Sequence, residues 1–129
     1  MKLFVVELSL TFGLLVGCSV PAAKVVGTYT ASNDQGTMTL VLSSDGDFTQ
    51  RLEYSNQNGG KVKFRKGRWE YKNGDVFLSN GWTINHDSID GSGGESMPAE
   101  SWFGGVELVC DPDWSFGYKK VSDEQRIQN

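Results

Sequence analysis

The sequence predicts an all-β domain, a small antiparallel up-and-down barrel of seven or eight strands, on three observations. From Val25 onward the dominant hydrophobic period is two. Clusters of Gly, Asn and Asp interrupt that period about every ten residues, the rhythm of short strands joined by tight turns. No stretch of the body carries the i, i+3, i+4 spacing of an amphipathic helix. Closure into a barrel removes the unpaired edges that so many short strands would otherwise expose.

The elements follow in order. Val25 to Ser32 is the first strand, and Asn33-Asp34-Gln35-Gly36 is its turn. In the strand Thr37 to Leu42, alternation directs Met38, Leu40 and Leu42 inward, and Asp45-Gly46 supplies a tight hairpin dipeptide. Phe48 to Tyr54 returns with Phe48, Leu52 and Tyr54 on one side, and the polar loop from Ser55 to Gly60 leads to Lys61-Val62-Lys63-Phe64-Arg65. There Val62 and Phe64 alternate with three cations, so the strand is expected to be half-exposed with the cations outward. A break or bulge at Gly67 is then needed to bring Trp69 and Tyr71 inward. Lys72-Asn73-Gly74-Asp75 is another hairpin signal before Val76 to Ser79. A weak strand around Trp82-Thr83-Ile84 precedes Asn85 to Ser101, whose Gly, Ser and acidic residues read as the longest loop. Two last strands, Trp102 to Cys110 and Trp114 to Val121, flank the turn at Asp111-Pro112-Asp113, and residues 122–129 form a polar tail. Phe48, Phe64, Trp69, Tyr71 and Leu78 are expected to fill most of a barrel of about eight strands, leaving little room for a ligand.

Ahead of the barrel, Leu3 to Gly17 is an apolar run behind Lys2, long enough for a secretory signal and shorter than the ~20 residues of a bilayer span. Residues 1–17 thus read as a signal peptide, and 18–24 as a mature N-terminus and linker before the barrel at 25–121. The full 129 residues carry a net charge of −4, and the segment left after cleavage keeps it. One modest domain of that charge argues against a multidomain enzyme and against nucleic acid as a partner.

The run ends in Leu15-Val16-Gly17-Cys18, which resembles the lipobox of bacterial lipoproteins. The resemblance implies that Cys18 becomes the acylated N-terminus. Ser19 in the next position resembles the pattern sent on to the outer membrane, so the protein would be lipid-anchored there and face the periplasm. The six residues Ser19 to Lys24 span at most about 20 Å, which would hold the domain near the headgroups. If Cys18 carries lipid, Cys110 has no partner in the chain and reads as an inert core thiol beside Val106 and Leu108. An uncleaved N-terminal segment with a buried Cys18, or a Cys18–Cys110 bridge, is the alternative.

A second resemblance lies in the order Gly27-x-Tyr29, Leu40-x-Leu42-x-x-Asp45-Gly46-x-Phe48, Gly67-x-Trp69 and Val76-x-Leu78. It is similar to the lipocalin-like lipoprotein domains of bacterial envelopes, the NlpE group among them, over about half of the mature chain. It implies fold rather than function. The Cys-x-x-Cys of that group is absent here, which removes the basis for copper binding or redox sensing.

For chemistry, the sequence offers one histidine, His86, beside Asp87, Ser88 and Asp90. Neighbours in sequence seldom assemble a triad, and no catalytic role is expected. With Gly91 at the sixth place of an EF-hand loop, His86, Ser88 and Met97 fall where acidic ligands belong. Asp87, Asp90 and Glu95 remain a conceivable oxygen set, but no metal or other cofactor is expected. Lys61, Lys63 and Arg65, extended by Lys66 and Arg68, are the main charge feature. They read first as a solvated edge strand whose cations block edge-to-edge aggregation, and functionally as a surface for anionic headgroups or an acidic protein. Trp82, Trp102 and Trp114 flank loops and strand starts, and together with Phe103 and Phe116 they either line one barrel mouth, as an aromatic rim for a sugar, a lipid tail or a partner loop, or plug the barrel end. The function expected is a non-enzymatic binding module for another envelope protein, acting as sensor, assembly accessory or inhibitor. A carrier of a small apolar ligand, or an immunity-type inhibitor of a periplasmic toxin, is the alternative.

Overall fold

The period-two segments pair in chain order into a closed barrel of eight antiparallel strands, in which β8 returns to β1. The computed structural model describes residues 20–55, 60–103 and 105–127, without the side chains of Ser92 and Trp102. The expected signal segment and Cys18 therefore lie outside the described residues. The strands are β1 (Gly27–Asn33), β2 (Gly36–Leu42), β3 (Asp47–Tyr54), β4 (Val62–Lys72), β5 (Asp75–Ile84), β6 (Ile89–Trp102), β7 (Gly105–Asp111) and β8 (Phe116–Ser122). A short helix α1 (Ala22–Val25) precedes them, and a 3-10 turn at Pro112–Trp114 lies between β7 and β8.

Alternation does what it predicts across β1 to β3. Met38, Leu40, Leu42, Phe48 and Leu52 are buried, with Tyr29, Val76, Leu78, Met97, Leu108 and Tyr118 completing the core from the other strands. Trp69 and Tyr71 pack against this core half-buried. The hairpin at Asn73-Gly74 has both residues at positive φ, 53° and 82°, as a two-residue turn matching the strand twist requires.

Four expectations are corrected. β4 runs in unbroken register with β3 from Val62 to Arg68, so Gly67 is no bulge. It is small because a Cβ there would stand 2.6 Å from the Phe48 ring. Without a bulge, parity is continuous: Lys61, Lys63 and Arg65 share the lumen-side face of Trp69 and Tyr71, while Val62, Phe64, Lys66 and Arg68 point outward. Phe64, expected in the core, is 55% exposed. Second, most of the expected loop from Asn85 to Ser101 is β6, held because β5 offers partners from Ile84↔Ile89 to Asp75↔Pro98. Third, β7 and β8 begin later than expected, at Gly105 and Phe116. Fourth, the expected linker is folded onto the barrel. Val20 and Val25 are buried in the core cluster, Tyr71 donates its hydroxyl to Val20 O (2.7 Å), and Tyr29 donates to Val25 O (2.6 Å).

The two ends of the barrel are closed by different means. The end from which β1 starts is plugged by Val20 to Val26, and the tail returns there, with Thr28 Oγ1 donating to Glu124 O and Ser44 N to Gln125 Oε1. At the other end the β5–β6 hairpin crosses the opening. Its turn bonds the β1–β2 turn: Asn33 Nδ2 donates to Asn85 O (2.8 Å) and Ser88 O (3.1 Å), and Ile89 N donates to Gln35 Oε1 (3.1 Å). In a ring of eight strands those two turns stand diametrically opposite, so these bonds require the hairpin to fold over the mouth. Register shifts between Leu78 and Gly81 and between Gly81 and Thr83 supply the bend.

Candidate functional site

Because β5 bends inward after Leu78, it leaves β4. Ladder pairing between them is confined to Trp69–Lys72 with Asp75–Leu78, and Arg68 N donates to Ser79 Oγ (3.0 Å) where the strands part. The departed segment is held from inside the barrel by Gln50. Its Oε1 accepts from Trp82 N (2.8 Å), and its Nε2 donates to Trp82 O (3.0 Å) and Tyr118 Oη (3.2 Å). One buried side-chain amide thus replaces the ladder for a whole residue and ties β3, β5 and β8 together across the lumen, as the rule that buried polar groups be paired demands.

A polar layer surrounds this amide beneath the hairpin. Arg65, directly across from Gln50 in the β3–β4 register, lays its guanidinium 4.4 Å from the Trp82 ring centroid. Arg65 Nη1 and Glu95 Oε2 are buried and have no hydrogen-bond partner among the described residues. Burial pushes the Glu95 carboxyl up to about 8, so it is mostly protonated at neutral pH. Burial, followed by the nearby Glu95 charge, also raises the Tyr118 hydroxyl and the Cys110 thiol well above their ordinary ranges. Cys110 is a free thiol with a low thiolate fraction, consistent with the inert role its strand position predicts.

On the rim, His86 stacks on Trp114 at 4.1 Å and 17°. His86 Nδ1 lies 2.7 Å from Asp111 Oδ2, and Nε2 lies 3.6 Å from Asp87 Oδ2. Both ring nitrogens face carboxylates, and Ser88 Oγ accepts from Asn85 Nδ2 (3.4 Å), so the cluster staples the hairpin to β7.

The residues singled out by sequence are distributed as follows. Lys63 stands at the hairpin end with its ammonium 5.6 Å from the Tyr54 ring centroid, and Lys61 precedes β4 beside it. Arg65 turns inward onto Trp82, which is buried, and Arg68 lies on the outer face paired with Asp47. The expected common outward face of Lys61, Lys63 and Arg65 is thus a lumen-side face whose cations are spread from rim to interior. The expected single aromatic mouth is also corrected. Trp82, Trp114 and Phe116 belong to the hairpin end, whereas Trp102 and Phe103 fall at the opposite end, where β1 starts, the Trp102 side chain lying outside the described residues. Trp114 is 65% exposed. Among the described residues no group of three or more His, Cys, Asp or Glu could hold a metal, and Glu95 faces inward while Asp87 and Asp90 are exposed. Sequence reasoning missed Gln50, whose one signal was a polar residue at an inward position between Phe48 and Leu52.

A concavity of about 700 Å³ lies at the end where β1 starts, between Ala23, Lys24, Gly105, Val106 and the tail. Of its two lysines, Lys120 is already engaged by Asp123 (2.6 Å) and Lys24 O (2.8 Å).

The geometry defines a closed up-and-down β-barrel with a stapled hairpin over one mouth. Comparison with known protein families, curated proteins and solved structures finds no match to this chain.

Proposed function

We propose that this protein is a lipid-anchored envelope lipoprotein, facing the periplasm from the outer membrane, that works as a non-enzymatic binding module for another envelope protein. The observation that carries the reading is the polarity of the barrel. The chain enters at one end, where Val20 is docked in the core only two residues after Cys18. Phe103, fully exposed, stands at that same end and suits contact with lipid. Lys61, Lys63 and exposed Trp114 stand at the other, turned away from an anchored membrane. Among the described residues neither lysine forms an ion pair, so both are available to a partner. Placing them away from the membrane favours a protein over headgroups as that partner.

The carrier alternative has less support, because Met38, Leu40, Phe48, Leu52, Met97 and Leu108 occupy the lumen themselves. An immunity-type inhibitor is one form of the same binding function, and a toxin gene beside this one would single it out.

Cys18→Ala tests the anchor. The substituted protein is expected in the soluble fraction of fractionated envelopes, with the acyl label lost. Retention on membranes without label contradicts the lipid anchor.

A further inference from the structure

We propose that the open edge of β4 takes up an extended, acidic segment of the partner as an added ninth strand. The inference rests on the binding-module reading and specifies where and how the partner is held.

The departure of β5 leaves Val62 to Gly67 paired with β3 on one side only. The direction of the backbone groups follows from bonds at both ends of this segment. Lys61 O accepts from Tyr54 N and Trp69 N donates to Gly46 O, so the odd residues face β3. Arg68 N–H, by contrast, donates to Ser79 Oγ on the β5 side. In a strand these directions alternate, so the N–H and C=O groups of Val62, Phe64 and Lys66 point to the open edge. Such an edge is a template for another chain, and natural barrels ordinarily close it.

Side chains argue for use rather than accident. Val62 and Phe64 are 42% and 55% exposed on the same stretch, giving an incoming strand apolar contact on its outer face. Lys61, Lys63 and Lys66 form no ion pair among the described residues, although the chain as a whole is acidic. The carboxylates of the neighbouring strand β3 are committed to arginines: Glu53 lies 3.1 Å from Arg51, and Asp47 holds Arg68. Three cations without a carboxylate partner beside a free edge, Lys63 resting over the Tyr54 ring, select an acidic strand by charge complementarity.

The test uses amide hydrogen exchange followed by NMR on the full folded chain. The probes are an end-blocked decapeptide alternating Asp or Glu with Val, its analogue with Lys in place of every acid, and phosphatidylglycerol vesicles. In the free protein, exchange at Val62, Phe64 and Lys66 should be rapid and that at Lys63, Arg65 and Gly67 slow. Adding the acidic peptide should slow the first three by at least about tenfold. The lysine analogue should do nothing, and Lys61→Glu with Lys66→Glu should weaken the acidic peptide by about tenfold or more while leaving the free exchange pattern unchanged. Slow exchange at all six amides in the free protein overturns the proposal, as does acidic-peptide binding without new protection. Protection given by vesicles and not by peptide assigns the edge to a membrane and also overturns it. A partner crosslinked elsewhere on the protein, with this edge silent, removes this inference and leaves the binding function standing.

Discussion

Gln50→Ala is expected to lower the unfolding free energy by about 4 kcal/mol, because it strands Trp82 N–H, Trp82 C=O and the Tyr118 hydroxyl, each costing roughly 1–3 kcal/mol when left unpaired in the interior. The effect is large for a polar residue because Gln50 does the work of a missing strand contact. Its amide carries one donor and one acceptor to the backbone of Trp82 and spends its second donor on Tyr118. Gln50→Glu separates the contributions. A carboxylate keeps the acceptor for Trp82 N but has no donor for Trp82 O, so it should also destabilise, and more steeply as pH rises and the acid ionises in a buried place. Urea unfolding read by tryptophan fluorescence measures both changes. Faster hydrogen exchange over Trp82 to Ile89 should accompany them, since the hairpin loses its hold on the lumen. Loss of stability with unchanged hairpin exchange would mean that Gln50 packs rather than ties.

Glu95→Gln is expected to act in the opposite direction and to depend on pH. The Glu95 carboxyl titrates near 8 in the folded protein and about 4.5 in a free chain. A raised acid favours the folded state only in its protonated form. At pH 4 the group is largely protonated in both states and contributes no penalty. As pH rises from 4.5 towards 8 the unfolded state loses its proton first, so stability falls across that window and levels off above it. At pH 7 the accumulated loss is about 3 kcal/mol. Glutamine, neutral at every pH, should restore about that much at pH 7 and little at pH 4, flattening the stability profile between. Equal stability of the two proteins from pH 4 to pH 8 would place Glu95 in contact with solvent or a cation.

Much of the barrel was legible because hairpin chemistry and alternation act locally. Asn73-Gly74 and the inward set Met38, Leu40, Leu42, Phe48 and Leu52 needed no knowledge of the rest of the chain. The errors share one cause, which is pairing decided at a distance. β6 carries Gly, Ser and Glu at positions where an isolated strand would carry apolar residues, and it is a strand because β5 lies beside it. In β4, apolar Val62 and Phe64 suggested an inward face, but the register set by β3 and by inward Trp69 and Tyr71 puts them outside. Arg65 is consequently inside, its cation over Trp82, a position no alternation rule assigns to arginine. The site followed the same division. Cations and tryptophans were visible as residue types, whereas their sorting to rim, lumen or opposite ends depends on β5 folding across the mouth.

In the proposed orientation, the end where β1 starts meets lipid and the hairpin end meets a protein. That orientation is tested most directly by a photoreactive phenylalanine analogue placed at Trp114 or at Phe103 in the anchored protein, irradiated in intact envelopes. Trp114 is expected to yield discrete protein adducts of one or a few masses, and Phe103 to yield lipid adducts. Lipid adducts from Trp114, with protein adducts from Phe103 alone, would reverse the orientation and contradict the account.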